Sequence, residues 1–214
     1  MSDRHRMLET NPFSNAERQD PDQDIVRLAQ SWPTRRVAMG VLYERFRERV
    51  YNVALRVVGN ADEAGDVLQD VFLLLFRKIH RFREHAFFAS WVYRITVNVS
   101  LDHLRRRRRA PLATSTEEIL DGPQETGDLS APERRLEGRD LERHVRVALH
   151  HLSPRLRIVI VLRYLEGLAY GDIAEILECS VGTVKSRLNR AHAAMRRQLA
   201  RRYGPSDASG AVPA

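Results

Sequence analysis

The chain has 214 residues, a formal net charge of +7 and 43% hydrophobic residues, enough for one large or two small domains with packed cores. Charged residues make up 29% of the sequence, and no run approaches the ~18 consecutive apolar residues of a spanning helix, which excludes membrane insertion. The opening residues lack the apolar stretch of a secretory signal, and the single cysteine, Cys179, cannot form an internal disulfide. We therefore expect a cytoplasmic protein.

Charge is distributed unevenly along the chain. Residues 34–109 and 134–203 each have a net charge of +8, whereas residues 110–133 between them have −6. Two basic blocks around an acidic spacer indicate two contacts with a polyanion, most simply nucleic acid. Two ordinary Arg-rich domains explain the same charges equally well, so charge alone leaves both interpretations open.

In chain order, residues 1–33 are polar and are predicted to form a mobile N-terminal arm. Apolar residues then recur at spacings of three and four, which predicts three amphipathic helices in residues 34–109. The first ends at Gly59-Asn60, two residues that tolerate the left-handed conformation of a helix C-cap. The second begins acidic and ends basic, complementing the helix dipole, and its apolar stripe is predicted to include Phe76. The third runs from about Phe87 to Leu104.

The second half of the chain begins with a spacer. Residues 110–133 contain three prolines and two glycines without apolar periodicity, which predicts a flexible acidic linker. Residues 134–203 contain four more helical patterns, one of them predicted as a single apolar helix over 155–165 that starts at Ser153-Pro154. The tail 204–214 is predicted to be disordered. The fold class is therefore all-α, with two small helical domains joined by a flexible linker.

Residues 169–199 have the pattern of a helix-turn-helix. Small Ala174 lets a second helix cross a short one closely, and Ser180 after the turn suits an N-cap. The outward residues are short near the N-terminus and basic further along, as approach to the major groove requires. They are Ser180, Gly182, Thr183, Lys185, Ser186, Arg187 and Arg190. A structural helix with a solvated basic face is the alternative, and DNA binding is favoured over it.

The string VGTVKSRLNRA, preceded by LSPRLRIVIVLRYLEGLAYGDIAEILECS, resembles the promoter-recognition domain of sigma-70 family factors of the extracytoplasmic-function (ECF) group. LYERFRERVYNVALRVVGNADEAGDVLQDVFLLLFRKI resembles the group's core-binding region, and FFASWVYRITVNVSLDHLRRRRR its −10 recognition helix. The resemblance covers about residues 40–108 and 136–200. It implies a sigma factor that binds core RNA polymerase, recognises −35 and −10 elements and melts DNA for a stress-responsive regulon.

The resemblance also assigns roles to residues. Asp66, Gln69, Asp70 and Phe72 fall where the family contacts a coiled coil of the polymerase's largest subunit, although dipole compensation alone explains acids at a helix start. The C-terminal domain would bind the polymerase flap, and an anti-sigma factor is a further implied partner. The −10 contacts would be Phe82, Arg83, His85, Trp91, Arg94, Asn98, Arg105 and Arg106.

Two of these assignments have alternatives. Phe82 with its neighbours Phe87 and Phe88 would form a pocket for a flipped base, but Trp91 and Phe88 also fit the core stripe. The short helix of the helix-turn-helix begins with Ala169 and Asp172 in place of the family's Ser and Glu, so we expect a weaker cap.

Two other classes of protein fit parts of this sequence less well. A regulator with a response-regulator-type helix-turn-helix would need a sensor pattern in residues 1–110, and none is visible. A recombinase-like enzyme would need a nucleophile with a base, a phosphate-binding loop or carboxylates for two metals. The adjacent His150 and His151 point to different sides of a helix and make a poor metal pair. We therefore predict no catalytic residue, no metal site and no cofactor.

Overall fold

The computed structural model describes residues 20–83, 87–109 and 144–203. Its helices are α1 (Gln23–Gln30), α2 (Arg35–Val58), α3 (Ala61–Lys78), a 3-10 turn (Ile79–Arg81), α4 (Phe88–Arg109), α5 (144–150), α6 (Pro154–Ile160), a π-helix (Val161–Leu165), α7 (Tyr170–Ile176) and α8 (Val181–Tyr203). All regular structure in these ranges is helical, which confirms the predicted fold class. The predicted linker 110–133 and tail 204–214 lie outside the described residues.

Part of the predicted mobile arm is a packed helix. Val26 and Ala29 of α1 are 1% and 0% exposed, and the Gln30 side-chain nitrogen donates to the carbonyls of Ile79 (3.1 Å) and Phe82 (2.9 Å). The prediction is therefore wrong for residues 23–30, while residues 1–19 lie outside the described ranges. Two buried apolar residues in one short helix are too few to produce a periodic signal.

Helices α2, α3 and α4 form the core of the N-terminal domain. α2 ends as predicted at Gly59, whose φ of +84° is in the left-handed region, and Asn60 caps α3 by accepting a hydrogen bond from the Glu63 amide (2.9 Å). On α4 the buried Thr96 and Ser100 hydroxyls donate to carbonyls one turn back. This internal pairing lets small polar side chains lie in the core without an unsatisfied group.

In the C-terminal domain the predicted helix over 155–165 has two parts. Pro154 starts α6 as predicted, although the Ser153 side chain makes no capping hydrogen bond. From Val161 the chain widens into a π-helix, and the Arg163 guanidinium donates to the Leu168 carbonyl (3.0 Å) just beyond it. None of the helices in the described ranges is long and apolar enough to cross a membrane.

The two domains are in contact, and Arg157 of α6 lies at their junction. Its side chain is buried and donates to the carbonyls of Leu149 (3.1 Å), His150 (2.7 Å) and Leu152 (3.2 Å) and to that of Val57 in the other domain. Carbonyls at the ends of α2 and α5 are the negative ends of helix dipoles. They therefore compensate the charge of a guanidinium that has no carboxylate among these partners.

Stability is expected to depend on pH through His150. Burial and the charges of Arg157, Arg107, Arg146 and Arg56 lower the pKa of His150 from 6.5 to about 4. In the unfolded chain His150 is protonated below about pH 6.5, whereas in the folded chain it stays neutral down to about pH 4. The free energy of unfolding therefore decreases as the pH falls. Allowing for solvent screening, we expect a loss of about 1 kcal/mol between pH 7 and pH 5 relative to His150→Gln. Urea titrations of the wild-type protein and of His150→Gln at pH 7 and pH 5 measure this loss. An equal decrease in the free energy of unfolding of the two proteins would contradict the role of His150.

Candidate polymerase and DNA interfaces

Helix α3 presents an exposed stripe with acidic and apolar ends. The exposed residues that repeat at alternating spacings of four and three are Asp62, Asp66, Gln69, Leu73 and Phe76. Leu73 is 54% and Phe76 is 43% exposed, whereas the inward stripe is almost fully buried. A period of 3.5 residues is the period of a coiled-coil seam. The prediction that Phe76 belongs to the inward face is wrong, and Leu73 and Phe76 are surface residues that sequence reasoning missed.

Asp70 and Phe72 lie beside this stripe and are partly buried. The Asp70 Oδ2 atom is 3.0 Å from His103 Nε2 of α4, and the Phe72 ring makes an edge contact with Tyr43 of α2, with centroids 4.8 Å apart. Both side chains are therefore held by neighbouring helices. Asp66 and Gln69 are more exposed and offer the polar groups of this surface.

The predicted base-capture residues are largely in the core. Phe82 is 8% and Phe88 is 0% exposed, and their rings meet edge-on at 5.4 Å while Trp91 packs on both, at 5.3 and 5.8 Å. The aromatic pocket expected from the resemblance is thus a filled cluster. In this conformation Phe82 has no free face on which a base can stack, because the cluster buries it.

The polar residues predicted at the −10 element differ in their surroundings. Arg83, Asn98 and Arg106 are exposed, whereas Arg105 pairs with Asp102 (2.7 Å). The Arg94 guanidinium contacts the C-terminal domain through the Glu175 carbonyl (2.9 Å) and the Glu178 carboxylate (3.2 Å). The predicted contact His85 lies outside the described residues.

The helix-turn-helix forms as the sequence predicts. The Ser180 Oγ atom accepts a hydrogen bond from the Thr183 amide (3.1 Å), which is an N-cap bond to the third residue of α8. Asp172 accepts one from the Ala169 amide (3.2 Å), so half of a capping box survives without the serine. The turn passes through Glu178, whose φ is +50°.

The seven predicted −35 residues surround the start of α8. Ser180, Gly182, Lys185, Ser186 and Arg190 are exposed, and Thr183 and Arg187 are partly buried. The Arg187 Nη1 atom lies 3.9 Å from Cys179 Sγ, and Arg190 donates to the Ser186 hydroxyl (3.3 Å). α8 contains no acidic residue. Its exposed face is therefore basic and suits a polyanion.

Comparison with known proteins identifies the family. The family models for Sigma-70 region 2 and Sigma-70, region 4 match residues 42–110 and 143–195. Among relatives, the RNA polymerase sigma-H factor of Pseudomonas aeruginosa is 34% identical over 185 residues, covering 85% of this chain and 95% of the relative. The ECF RNA polymerase sigma-E factor of Haemophilus influenzae is 36% identical over 174 residues, covering 79% and 90%.

Solved structures agree on the fold. The structure of CnrH in complex with the cytosolic domain of CnrY has a TM-score of 0.60 at 23% identity, covering 83% of this chain and 96% of the other. That of the sigma factor RpoE from Bartonella quintana with NepR has a TM-score of 0.59 at 23% identity, covering 75% and 95%. The chain belongs to the sigma-70 family, in its ECF group, and is a transcription initiation factor that binds RNA polymerase rather than an enzyme.

Proposed function

We propose that this sigma factor binds core polymerase through α3 and reads the two promoter elements with α4 and α8. The observation that supports this most is the presence, in one chain, of two surfaces of opposite character. α3 has an exposed acidic and apolar stripe, and α8 has an exposed basic face without acids. A protein partner suits the first surface and a polyanion the second.

On the polymerase, the proposed partner of α3 is a coiled coil of the largest subunit. Asp66, Gln69, Leu73 and Phe76 repeat with a period of 3.5 residues, so this stripe can lie along a coiled coil. The Asp66 carboxylate would contact basic residues of the coiled coil, and Leu73 and Phe76 would make an apolar contact from which water is excluded. The flap is the proposed partner of the C-terminal domain. Tyr164 and Leu165, which are 57% and 48% exposed, offer it an apolar patch.

On the promoter, we assign the −35 element to the seven residues of the α8 face. The −10 element falls to the α4 side, where Arg83, Asn98 and Arg106 are open to solvent. Capture of a flipped base would require the Phe82 cluster to rearrange, because its rings are packed on one another. Phosphate contacts by arginines position the duplex, and base contacts give specificity.

The cellular setting follows from the proposed activity. Promoter binding places the protein in the cytoplasm, and a stress-responsive regulon suits the ECF group. An anti-sigma factor is a further proposed partner, since the solved neighbours are complexes with CnrY and with the anti-sigma factor NepR.

The proposed function is tested by run-off transcription with purified core polymerase on a genomic promoter library. Addition of the protein is expected to give transcripts from a limited set of templates that share spaced −35 and −10 sequences. The same reaction without the protein is the control. Transcription that does not depend on the protein would contradict the proposal.

Arg187 is expected to contribute to −35 recognition. Replacing it by Ala should weaken binding of the holoenzyme to a transcribed promoter by about 1–3 kcal/mol, because a base contact is lost. Arg196, an exposed arginine further along α8, gives the matched control Arg196→Ala, which should change binding little. Filter binding to the promoter and to a duplex with a scrambled −35 element distinguishes a base contact by Arg187 from a phosphate contact. An equal loss on both duplexes would make Arg187 a phosphate contact instead.

A further inference from the structure

We propose that Asp20 and Gln30 are positioning residues for recognition of the −10 element. Asp20 lies shortly before α1 and Gln30 is the last residue of that helix, and they hold the chain on either side of the segment that joins the 3-10 turn to α4. They thereby set where Arg83 and the first turn of α4 lie. The proposal rests on the proposed function, which assigns the −10 element to the α4 side, and it gives α1 a part in promoter recognition.

The start of α4 is capped from a distant part of the chain. The first amides of a helix have no acceptor within it and need one from outside. The residue before α4 is Phe87, whose side chain has no oxygen to accept a hydrogen bond. The cap is Asp20 instead, since its Oδ2 atom accepts a hydrogen bond from the Phe88 amide (2.7 Å), 68 residues away. The carboxylate also lies at the positive end of the α4 dipole, so Asp20 fixes the point at which α4 begins.

The same carboxylate is tied to the start of α1. The Asp20 Oδ1 atom accepts a hydrogen bond from the Asp22 amide (2.9 Å), and the Asp20 carbonyl accepts one from the Gln23 amide (3.2 Å). Asp22 is itself 4% exposed and forms an ion pair with Arg45 of α2. Asp20 thus joins the starts of two helices, and its own position is fixed by the buried pair beside it.

The other end of α1 holds the 3-10 turn. The Gln30 side-chain nitrogen donates to the Ile79 carbonyl (3.1 Å) and to the Phe82 carbonyl (2.9 Å). A side-chain amide has two N–H donors, so this nitrogen can satisfy both carbonyls at once. The Phe82 carbonyl belongs to the peptide group that leads into Arg83, an exposed residue assigned to the −10 element. Gln30 therefore fixes the backbone from which Arg83 extends.

Helix α1 links these two anchor points at a fixed distance. Its eight residues span about 12 Å, and Val26 and Ala29 pack its inner face into the core. The anchors hold the Phe82 carbonyl and the Phe88 amide, so the rings of these residues stay able to rearrange around a base. Loss of either anchor would let Arg83 and the first turn of α4 leave their positions. The affinity for −10 DNA would then fall with the fraction of molecules that keep them.

The test removes each anchor separately. Asp20→Ala removes the cap of α4, and Gln30→Met keeps most of the side-chain volume but donates no hydrogen bond. Asp20→Asn is the conservative variant, because its amide oxygen can still accept from the Phe88 amide and Asn is a favoured N-cap. Asp24→Ala is the matched control, since Asp24 lies in the first turn of α1 with 89% of its side chain exposed.

Binding of the polymerase holoenzyme is measured on a single-stranded −10 oligonucleotide from a transcribed promoter and on a scrambled version of it. Asp20→Ala and Gln30→Met should each bind the −10 oligonucleotide about fivefold more weakly than wild type, because loss of an anchor lowers the population of the competent arrangement. Asp20→Asn should recover most of this loss, and Asp24→Ala should match wild type. Binding to the scrambled oligonucleotide, to a −35 duplex and to core polymerase should stay unchanged, a pattern that a general loss of stability would not produce.

Hydrogen exchange of the Phe88 amide gives an independent measurement on the free, full-length protein. This amide should exchange about tenfold faster in Asp20→Ala than in wild type, and at the wild-type rate in Asp24→Ala. Unchanged exchange, undiminished affinity of either anchor variant for the −10 oligonucleotide, or an equal loss on the scrambled sequence or in core binding would overturn the positioning role. If the wild-type holoenzyme itself does not prefer the −10 oligonucleotide, the proposed function fails, while faster exchange would still show that Asp20 anchors α4.

Discussion

Replacing Asp66 by Arg and Phe76 by Asp together is expected to weaken binding to core RNA polymerase by about 3 kcal/mol or more, which is over a hundredfold. The first change reverses a charge that faces a basic partner, and the second places a charge in the apolar end of the stripe. A desolvated apolar contact and a paired charge each contribute on the order of 1–3 kcal/mol in protein interfaces.

The chain offers a matched control for this double variant. Asp24 on α1 has 89% of its side chain exposed and Val37 on α2 is 75% exposed, so Asp24→Arg with Val37→Asp makes the same chemical changes elsewhere. Exposed substitutions alter stability by about 0.5 kcal/mol or less, so both variants should fold. Competition with labelled wild-type protein for core polymerase measures the affinities. If the two double variants compete equally well, α3 is not the docking surface.

Local patterns predicted the helix-turn-helix well. Its buried stripe, its turn and the Ser180 cap lie within thirty consecutive residues, and periodicity with capping preference detects such features. The outward residues could be named for the same reason, since the inward stripe of one helix determines its outer face. What they bind could not be read from this pattern alone.

The outer face of α3 could not be predicted because its second half is apolar on every side. In the run VFLLLF, periodicity cannot distinguish the residues that face α2 and α4 from those that face solvent. The sequence therefore placed Phe76 inside, whereas packing leaves it 43% exposed. Excess apolar residues on a helix of this length are themselves a signal, because a large exposed apolar surface usually marks an interface.

The contacts between the domains left no signal in the sequence. Arg94 and Glu178 are 84 residues apart, and Arg157 and Val57 are 100 apart. Such pairs involve single polar residues outside any repeating pattern, and Arg157 lies on the buried, otherwise apolar face of its helix. A charged residue interrupting a buried stripe is the only local indication, and it marks a buried polar contact without naming the partner.

Arg157→Met is expected to lower the free energy of unfolding by about 3 kcal/mol. Arg157 is 6% exposed and its guanidinium satisfies four carbonyl oxygens. Methionine fills most of the volume but donates no hydrogen bond, and each buried acceptor left without a partner costs about 1–3 kcal/mol, partly recovered through water. Burial and nearby arginines lower the pKa of Arg157 to about 10, so the charge is still present at neutral pH.

Arg155 provides the control, because it lies two residues away on the same helix and is exposed. Arg155→Met should change the midpoint of a urea titration little, and Arg157→Lys should fall between wild type and Arg157→Met, since one ammonium cannot reach all four carbonyls. The loss should exceed what one surface ion pair contributes, because the carbonyls belong to the ends of two helices in different domains. Equal midpoints for Arg157→Met and Arg155→Met would show that water replaces the guanidinium at no cost and that the junction depends on apolar packing instead.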